Sequence, residues 1–422
     1  MTGSRTAVAA GALATAAATL GLALWMYRLP AAVTSAWGLD PPGLDQFRSL
    51  WRVRAPSLSP AAFRVGFWLL VAAAWSGYGA LIAGGLRGGR LPRPAWAAAV
   101  AVAMALGCPP LLSRDVYGYV GFGRLAADHH LNPLVTPQSR LLSLGDPVAP
   151  FLGGDVPSPY GPLWSGISVG LVRMTAGLGL VGQVLAFKLA MALALLVAAL
   201  AARRAAGAIA AGRGPLAFAA VGFNPLLLLE GPGTGHNDLA MLALVLAGFA
   251  ALAENRPRLA ALAIGAGAAI KLLPALLLPW LMSAAARRGR VRLAAQVALL
   301  GLLPLVLALL PFWEGRATFA GLAAWWSEGH RGGAAAWPIA LAVASYAAIS
   351  WFVMRAPELP AVASGWALAA AAALLFVAGA WFPWYFAWPL GGLLVRWERR
   401  HIAGTAVLMA VAALLTAFYA GR

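Results

Sequence analysis

The sequence predicts an all-α fold, a polytopic bundle of transmembrane helices, and three observations carry that prediction. Of 422 residues, 62% are hydrophobic and only 10% are charged, against roughly 25% charged in soluble domains. Apolar runs of about 18 to 22 residues recur along the chain, the length a helix needs to cross about 30 Å of hydrocarbon. The periodic alternation of a membrane barrel is absent, and only helices and closed barrels satisfy their own backbone polar groups in lipid.

The first run, 6–27, follows Arg5 and has some features of a signal peptide. It is long enough to span and precedes many further runs, so it reads as a first transmembrane helix. Further spans are expected at 64–85, 95–112, 181–201, 214–231, 236–253, 291–312, 336–354, 361–380 and 401–420. Residues 259–281 are interrupted by Lys271 and Pro274. Proline removes a helix donor and clashes with the preceding turn, so this stretch reads as two short helices in a hairpin. The stretch 383–395 is also short and begins in a Phe-Pro-Trp-Tyr turn. Without a linker, low-complexity tail or repeat, residues 1–422 read as one domain: 1–94 supply two accessory spans, 95–400 the core and 401–422 the last span.

Arginine clusters set the expected orientation. Arg87, Arg90 and Arg93; Arg203, Arg204 and Arg213; Arg256 and Arg258; Arg287, Arg288, Arg290 and Arg292; and Arg396, Arg399 and Arg400 all follow apolar runs. The positive-inside rule wants them cytoplasmic. That holds if 259–281 is a hairpin and 161–176 lies along the outer interface, giving roughly 12 to 14 spans. One loop resists: 28–64 would be outside although it holds Arg48, Arg52 and Arg54. The same clusters explain the net charge of +18 as topology, not as a nucleic-acid surface, which would gather on one face or tail. Cys108 is the single cysteine, which excludes an intrachain disulfide, a zinc cluster and CxxC chemistry.

This orientation sends the polar residues to the opposite face, on a long outer loop at 113–160 with interfacial helices, the turn 231–238, Lys271, the loop 313–333 and residues 382–385. Asp115, beside Arg114, follows an apolar run directly. A carboxylate at that boundary is either an interfacial ion pair with Arg114 or a general base. Tyr117, Tyr119, Phe122 and Leu125 mark a short interfacial helix; His129 and His130 lack a third ligand at recognisable spacing for a metal. Pro157-Ser158-Pro159-Tyr160-Gly161-Pro162-Leu163-Trp164 is a rigid re-entry, in which Tyr160 and Trp164 either anchor in headgroups or offer rings to a sugar. Glu230, His236, Asn237 and Asp238 crowd one turn close to hydrocarbon, which a tight turn alone does not explain. Lys271 lies about half a span into its run and needs an anion or a route to the interface. Lys188, about two turns into its helix, is a weaker residue of the same kind.

Taken in order, Arg-Asp-Val-Tyr-Gly-Tyr, Leu-Asn-Pro-Leu, Pro-Ser-Pro-Tyr-Gly-Pro-Leu-Trp, Asn-Pro-Leu-Leu-Leu-Leu-Glu, Gly-His-Asn-Asp, Lys-Leu-Leu-Pro and Phe-Pro-Trp-Tyr resemble the polyprenol-phosphate-mannose-dependent α-1,6-mannosyltransferases of actinobacteria. The resemblance covers roughly residues 95–388 and implies a GT-C membrane glycosyltransferase fold with 95–400 as catalytic core. It implies a polyprenyl-phosphate sugar donor, a glycan or glycolipid acceptor, and a multi-pass protein in the cell membrane whose site faces the extracytoplasmic side. Asp115 matches the family's catalytic base, and Lys271 and His236 match positions near the donor phosphate. Lys188 is added to that phosphate set, and Arg114, Tyr117, Tyr160, Asn237, Asp238, Trp384 and Tyr385 are expected to bind substrate. Gly118 stands where the family has serine, and the chain is shorter than the lipomannan-elongating members, which bears on acceptor and linkage.

The expected reaction is an inverting transfer of a hexose, mannose by resemblance. No P-loop or GxGxxG is found in a strand-to-helix context, and no cofactor or metal is required, although Asp115, Asp238 and Glu314 could share one. The rival reading is a secondary transporter or lipid flippase, which also uses intramembrane charges but places them near the midplane between repeats.

Overall fold

Helices account for about four fifths of the described residues, and none of those residues lies in a strand. The structure, a computed structural model, describes residues 2–29, 41–53, 58–110, 113–152, 154–329, 336–378 and 381–421. Among them six helices are long and apolar enough to cross a membrane: Thr6–Arg28, Pro60–Leu86, Ala176–Ile209, Val291–Phe312, Trp337–Arg355 and Leu359–Phe376. The protein is therefore an all-α polytopic membrane protein.

The long helices are fewer than the roughly 12 to 14 expected crossings, and local chemistry accounts for the difference. Residues 95–112 form only Pro94–Gly107, which stops before Cys108-Pro109-Pro110. Residues 214–231 form two pieces, Gly214–Gly222 and Pro225–Gly233, bent by 48°. Asn224 makes the bend: its side-chain oxygen accepts from the Leu226 and Leu227 amides and starts a new helix. Asp238–Ala253 and Pro257–Ile270 are short apolar helices as well. After Ile270 the chain is extended at Lys271 (φ −143°, ψ 133°) and resumes at Leu273, so the expected interruption is present.

Asp238–Ala253, Gly214–Gly222 and Pro94–Gly107 pack against the long helix Gly179–Ile209, and most residues of the first two are buried. By contrast only 17% and 11% of Val291–Phe312 and Trp337–Arg355 is covered by protein, leaving apolar surface for lipid. Within the arginine-bearing loop 28–64, the Arg48 guanidinium donates to the Tyr27 carbonyl at 2.7 and 3.2 Å and pairs with Asp45 at 3.1 Å. Residues 30–40, Arg54 and residues 330–333 of the expected 313–333 loop lie outside the described residues.

Two backbone contacts bring the polar segments together. Asp115 opens the helix Asp115–Ala127, which packs on Pro162–Met174. Just before the latter, the Gly161 amide donates to the Ile270 carbonyl at 2.9 Å. A Cβ at Gly161 would lie 2.2 Å from the Ala269 carbonyl oxygen, so only glycine allows the approach that sets Tyr160 beside Lys271.

Candidate active site

Asp115 is the first residue of its helix and is held from three directions. Ser113 Oγ donates to Asp115 Oδ1 at 2.8 Å, and Tyr160 Oη donates to Oδ2 at 3.1 Å. His236 Nε2 stands 3.8 Å from the same Oδ2. The interfacial pair with Arg114 is not formed among the described residues: Arg114 Nη1 instead donates to the Leu152 carbonyl at 3.3 Å. The Asp115 side chain keeps 29% of its surface exposed, so it is reachable.

Lys271 has an anionic partner, and it belongs to the protein. Its Nζ donates to Asp238 Oδ1 at 2.7 Å, and Trp388 Nε1 donates to the same oxygen at 2.5 Å. The ammonium also stands over the rings of Tyr385, Trp388 and Tyr160 at 5.1, 5.7 and 5.8 Å, within cation–π range. It is not a snorkelling lysine. Of its three donors one goes to Asp238, and its side chain is 17% exposed.

The turn 230–238 closes the circle. A wider π turn at Leu229–Gly233, a device frequent at functional sites, lets the Glu230 carbonyl accept from the His236 amide at 2.9 Å. Glu230 Oε2 lies 3.1 Å and Thr234 Oγ1 2.9 Å from His236 Nδ1. Gly235 takes φ +96°, a region that favours glycine, with Val116 close beneath it. His236 stacks on Trp384 at 3.9 Å, and Trp384 touches Tyr385, which touches Trp388. Contacts thus run from Asp115 through Tyr160 to Lys271, Asp238 and Trp388, and back through Tyr385, Trp384 and His236.

Among the described residues, several buried polar atoms in this ring have no hydrogen-bond partner: His236 Nε2, Asp238 Oδ2, Glu230 Oε1 and both amide atoms of Asn237. The Asn237 backbone amide donates to Tyr119 Oη at 3.4 Å. Unpaired buried polar groups are costly, and here they cluster around one place. A cavity of about 10 Å³ between Glu230, His236, Asp238 and Trp384 is at the lower limit for one water and is too small for a sugar. The side chains of Asp115 and Lys271 remain partly exposed.

Not every expected residue joins. Lys188 is fully buried under Gly235, but its ammonium donates to the Cys108 carbonyl and faces the Phe47 ring at 5.7 Å. Tyr117 stacks on Phe151 at 5.0 Å, and its buried hydroxyl has no partner. Glu314 accepts from Asn132 Nδ2 at 2.9 Å, and among the described residues no group of three His, Cys, Asp or Glu side chains is placed to hold a metal ion. Glu230 belongs to the turn that reads from sequence either as a polar cavity lining or as a buried structural network, whereas Tyr119 and Trp388 are not assigned roles from sequence. A signal exists for Tyr119: Asp115 and Tyr119 are spaced i, i+4 in one helix and share its face.

A family model described as alpha-(1->6)-mannopyranosyltransferase, N-terminal domain, matches residues 8–287. Alpha-(1->6)-mannopyranosyltransferase A of Mycobacterium tuberculosis is 30% identical over 186 residues, 43% of this chain and 35% of that protein. A second alpha-(1->6)-mannopyranosyltransferase of the same organism is 30% identical over 143 residues, 33% of this chain and 24% of that protein. The chain thus aligns with about a third or less of the relatives' lengths. No solved structure matches.

Proposed function

The chain belongs to the alpha-(1->6)-mannopyranosyltransferase family, and we propose that it transfers mannose from a polyprenyl-phosphate donor to a hydroxyl of a glycan or glycolipid acceptor on the extracytoplasmic side, with inversion at the anomeric carbon. Asp115 Oδ2 takes the proton of the acceptor hydroxyl as its oxygen forms the new bond to the anomeric carbon. The bond from that carbon to the phosphate oxygen breaks, and polyprenyl phosphate leaves with the electron pair. Lys271 neutralises charge growing on the phosphate, the electrostatic term that often dominates catalysis.

The observation that carries this reading is the division between reachable and buried charge. Asp115 and Lys271 are 29% and 17% exposed, while His236, Glu230 and Asp238 are 1–4% exposed. The exposed pair meets substrate and the buried three hold it: Glu230 fixes the His236 ring beside Asp115, and Asp238 fixes Lys271. Tyr160 spans the two ends, hydroxyl on Asp115 and ring against Lys271.

The test is Asp115→Asn, which keeps size and most hydrogen bonding but cannot accept the proton at neutral pH. Transfer from polyprenyl-phosphate mannose should fall by about 10²- to 10⁴-fold, the usual loss with a general base, while folding and donor affinity stay near parental. Near-parental turnover would overturn the assignment of Asp115.

A further inference from the structure

Two of the arginine clusters that orient the chain converge on a pocket of their own. Arg93, Arg203 and Arg213 come from three separate segments and line a pocket of about 460 Å³, within the usual size of ligand sites. No carboxylate lines it, and among the described residues none of the three guanidiniums has a hydrogen-bond or ion-pair partner. The adjacent Arg204 is different: it pairs with Glu254 at 3.7 Å. The rest of the wall is apolar or glycine, with Leu91, Leu216 and Phe218 prominent.

The placement of the arginines adds a second argument. Arg93 is the N-cap of Pro94–Gly107 and Arg213 the N-cap of Gly214–Gly222. Helix N-termini carry partial positive charge and disfavour cations. Both helices therefore present a guanidinium where the backbone already wants an anion, and Arg203 adds a third positive charge. The walls are firmly set: a Cβ on Gly214 would lie 2.7 Å from the Arg203 carbonyl oxygen, and one on Gly85 would lie 2.8 Å from Leu216. Arg93 and Arg203 are exposed and Arg213 half-buried, so water screens part of their mutual repulsion and an entering anion would relieve the rest.

We propose that this pocket binds a phosphate ester, gripped by Arg93, Arg203 and Arg213, independently of the Asp115–Lys271 site. Planar guanidiniums match phosphate oxygens in pairs. The apolar wall beside them suits the glycerol and first acyl carbons of an anionic phospholipid, and basic pockets between membrane helices are suited to such headgroups.

The experiment uses the full chain in nanodiscs of phosphatidylcholine alone, or with a minor fraction of phosphatidylglycerol, at one ionic strength. A third arm adds inorganic phosphate to the phosphatidylcholine discs. Phosphatidylglycerol should raise Tm by on the order of 2–4 °C. The combined Arg93→Gln, Arg203→Gln and Arg213→Gln variant should lose that shift, while a control combining Arg287→Gln, Arg288→Gln and Arg290→Gln should keep it. A shift with inorganic phosphate that the pocket variant loses upholds the site and assigns it to a soluble phosphate. No shift in either arm, a shift the pocket variant retains, or equal loss in the control overturns the proposal. If the combined variant does not fold, the three single variants carry the test, and each must lose part of the shift.

Discussion

Two carboxylate clusters share the helix Asp115–Ala127, one through Asp115 and the other through Arg124, and they are finished differently. Asp146, in the outer loop, is almost fully buried, and both its oxygens are taken. Arg124 Nε bonds both oxygens at 2.9 Å, His129 Nε2 lies 2.9 Å from Oδ2, and the Val148 amide donates to Oδ1 at 2.9 Å. Around Asp115 and Lys271 the ring is incomplete: Asp238 Oδ2 and His236 Nε2 have no hydrogen-bond partner among the described residues, and Asp115 stays reachable. The saturated cluster has nothing left to offer a ligand and can only hold the loop. An unsaturated cluster keeps unsatisfied buried groups, and such groups in a native structure call for an explanation; the proposed transfer site offers one.

Substitution at the two aspartates should separate them most sharply. Asp115→Asn is expected to cost transfer by about 10²- to 10⁴-fold with Tm unchanged. Asp146→Ala should do the reverse, lowering stability by about 1–3 kcal/mol, because Arg124 loses its most buried partner and keeps Asp128 and Gln183, while the folded fraction transfers sugar normally. Transfer assays and thermal melts on both variants check this. Matching profiles in the two would erase the distinction.

Within the unsaturated cluster, Lys271→Ala should weaken donor use by roughly 10- to 100-fold, the worth of a charged hydrogen bond, and leave acceptor KM nearly unchanged. Because the change also strands Asp238, the pair Lys271→Ala with Asp238→Asn is the cleaner probe: stability should recover and donor use should not. Recovery of donor affinity in the double variant would reduce Lys271 to a structural partner of Asp238.

Smaller effects sharpen the line between ring members and bystanders. Tyr160→Phe removes the hydroxyl bonded to Asp115 and should slow transfer by about fivefold to tenfold, as for one net hydrogen bond. Tyr117→Phe removes a hydroxyl with no partner and should change neither turnover nor stability by more than about 0.5 kcal/mol equivalent. A Tyr117 effect as large as that at Tyr160 would return it to the substrate-binding set.

The gentlest contrast is in pH. Burial alone would push Asp146 up, but the Val148 amide, His129 and Arg124 together hold it below the ordinary carboxylate range. Its folded pKa therefore lies under its unfolded value of about 3.9. The stabilisation is complete above that value and disappears as pH falls through the depressed one. Tm measured from neutral into acid should bring parent and Asp146→Ala together below about pH 4. A gap that stays constant into acid would show that Asp146 acts through shape and not through charge.

Much was legible in the sequence because it depends on neighbours along the chain. Apolar run length and scarce charge determined an all-α membrane protein. The position of Asp115 after an apolar run, Lys271 with Pro274, and the crowding of Glu230, His236, Asn237 and Asp238 marked the polar segments. Tertiary structure alone decided who meets whom. Lys271 pairs with Asp238, 33 residues away, and Asp238 takes Trp388 from 150 residues away. Arg114 turns from its neighbour Asp115 to Leu152, and Lys188 faces Cys108 instead of the ring. The reason is physical: hydrophobicity and backbone propensity add up locally, whereas the partner of a buried polar group is whatever packing brings within about 3 Å.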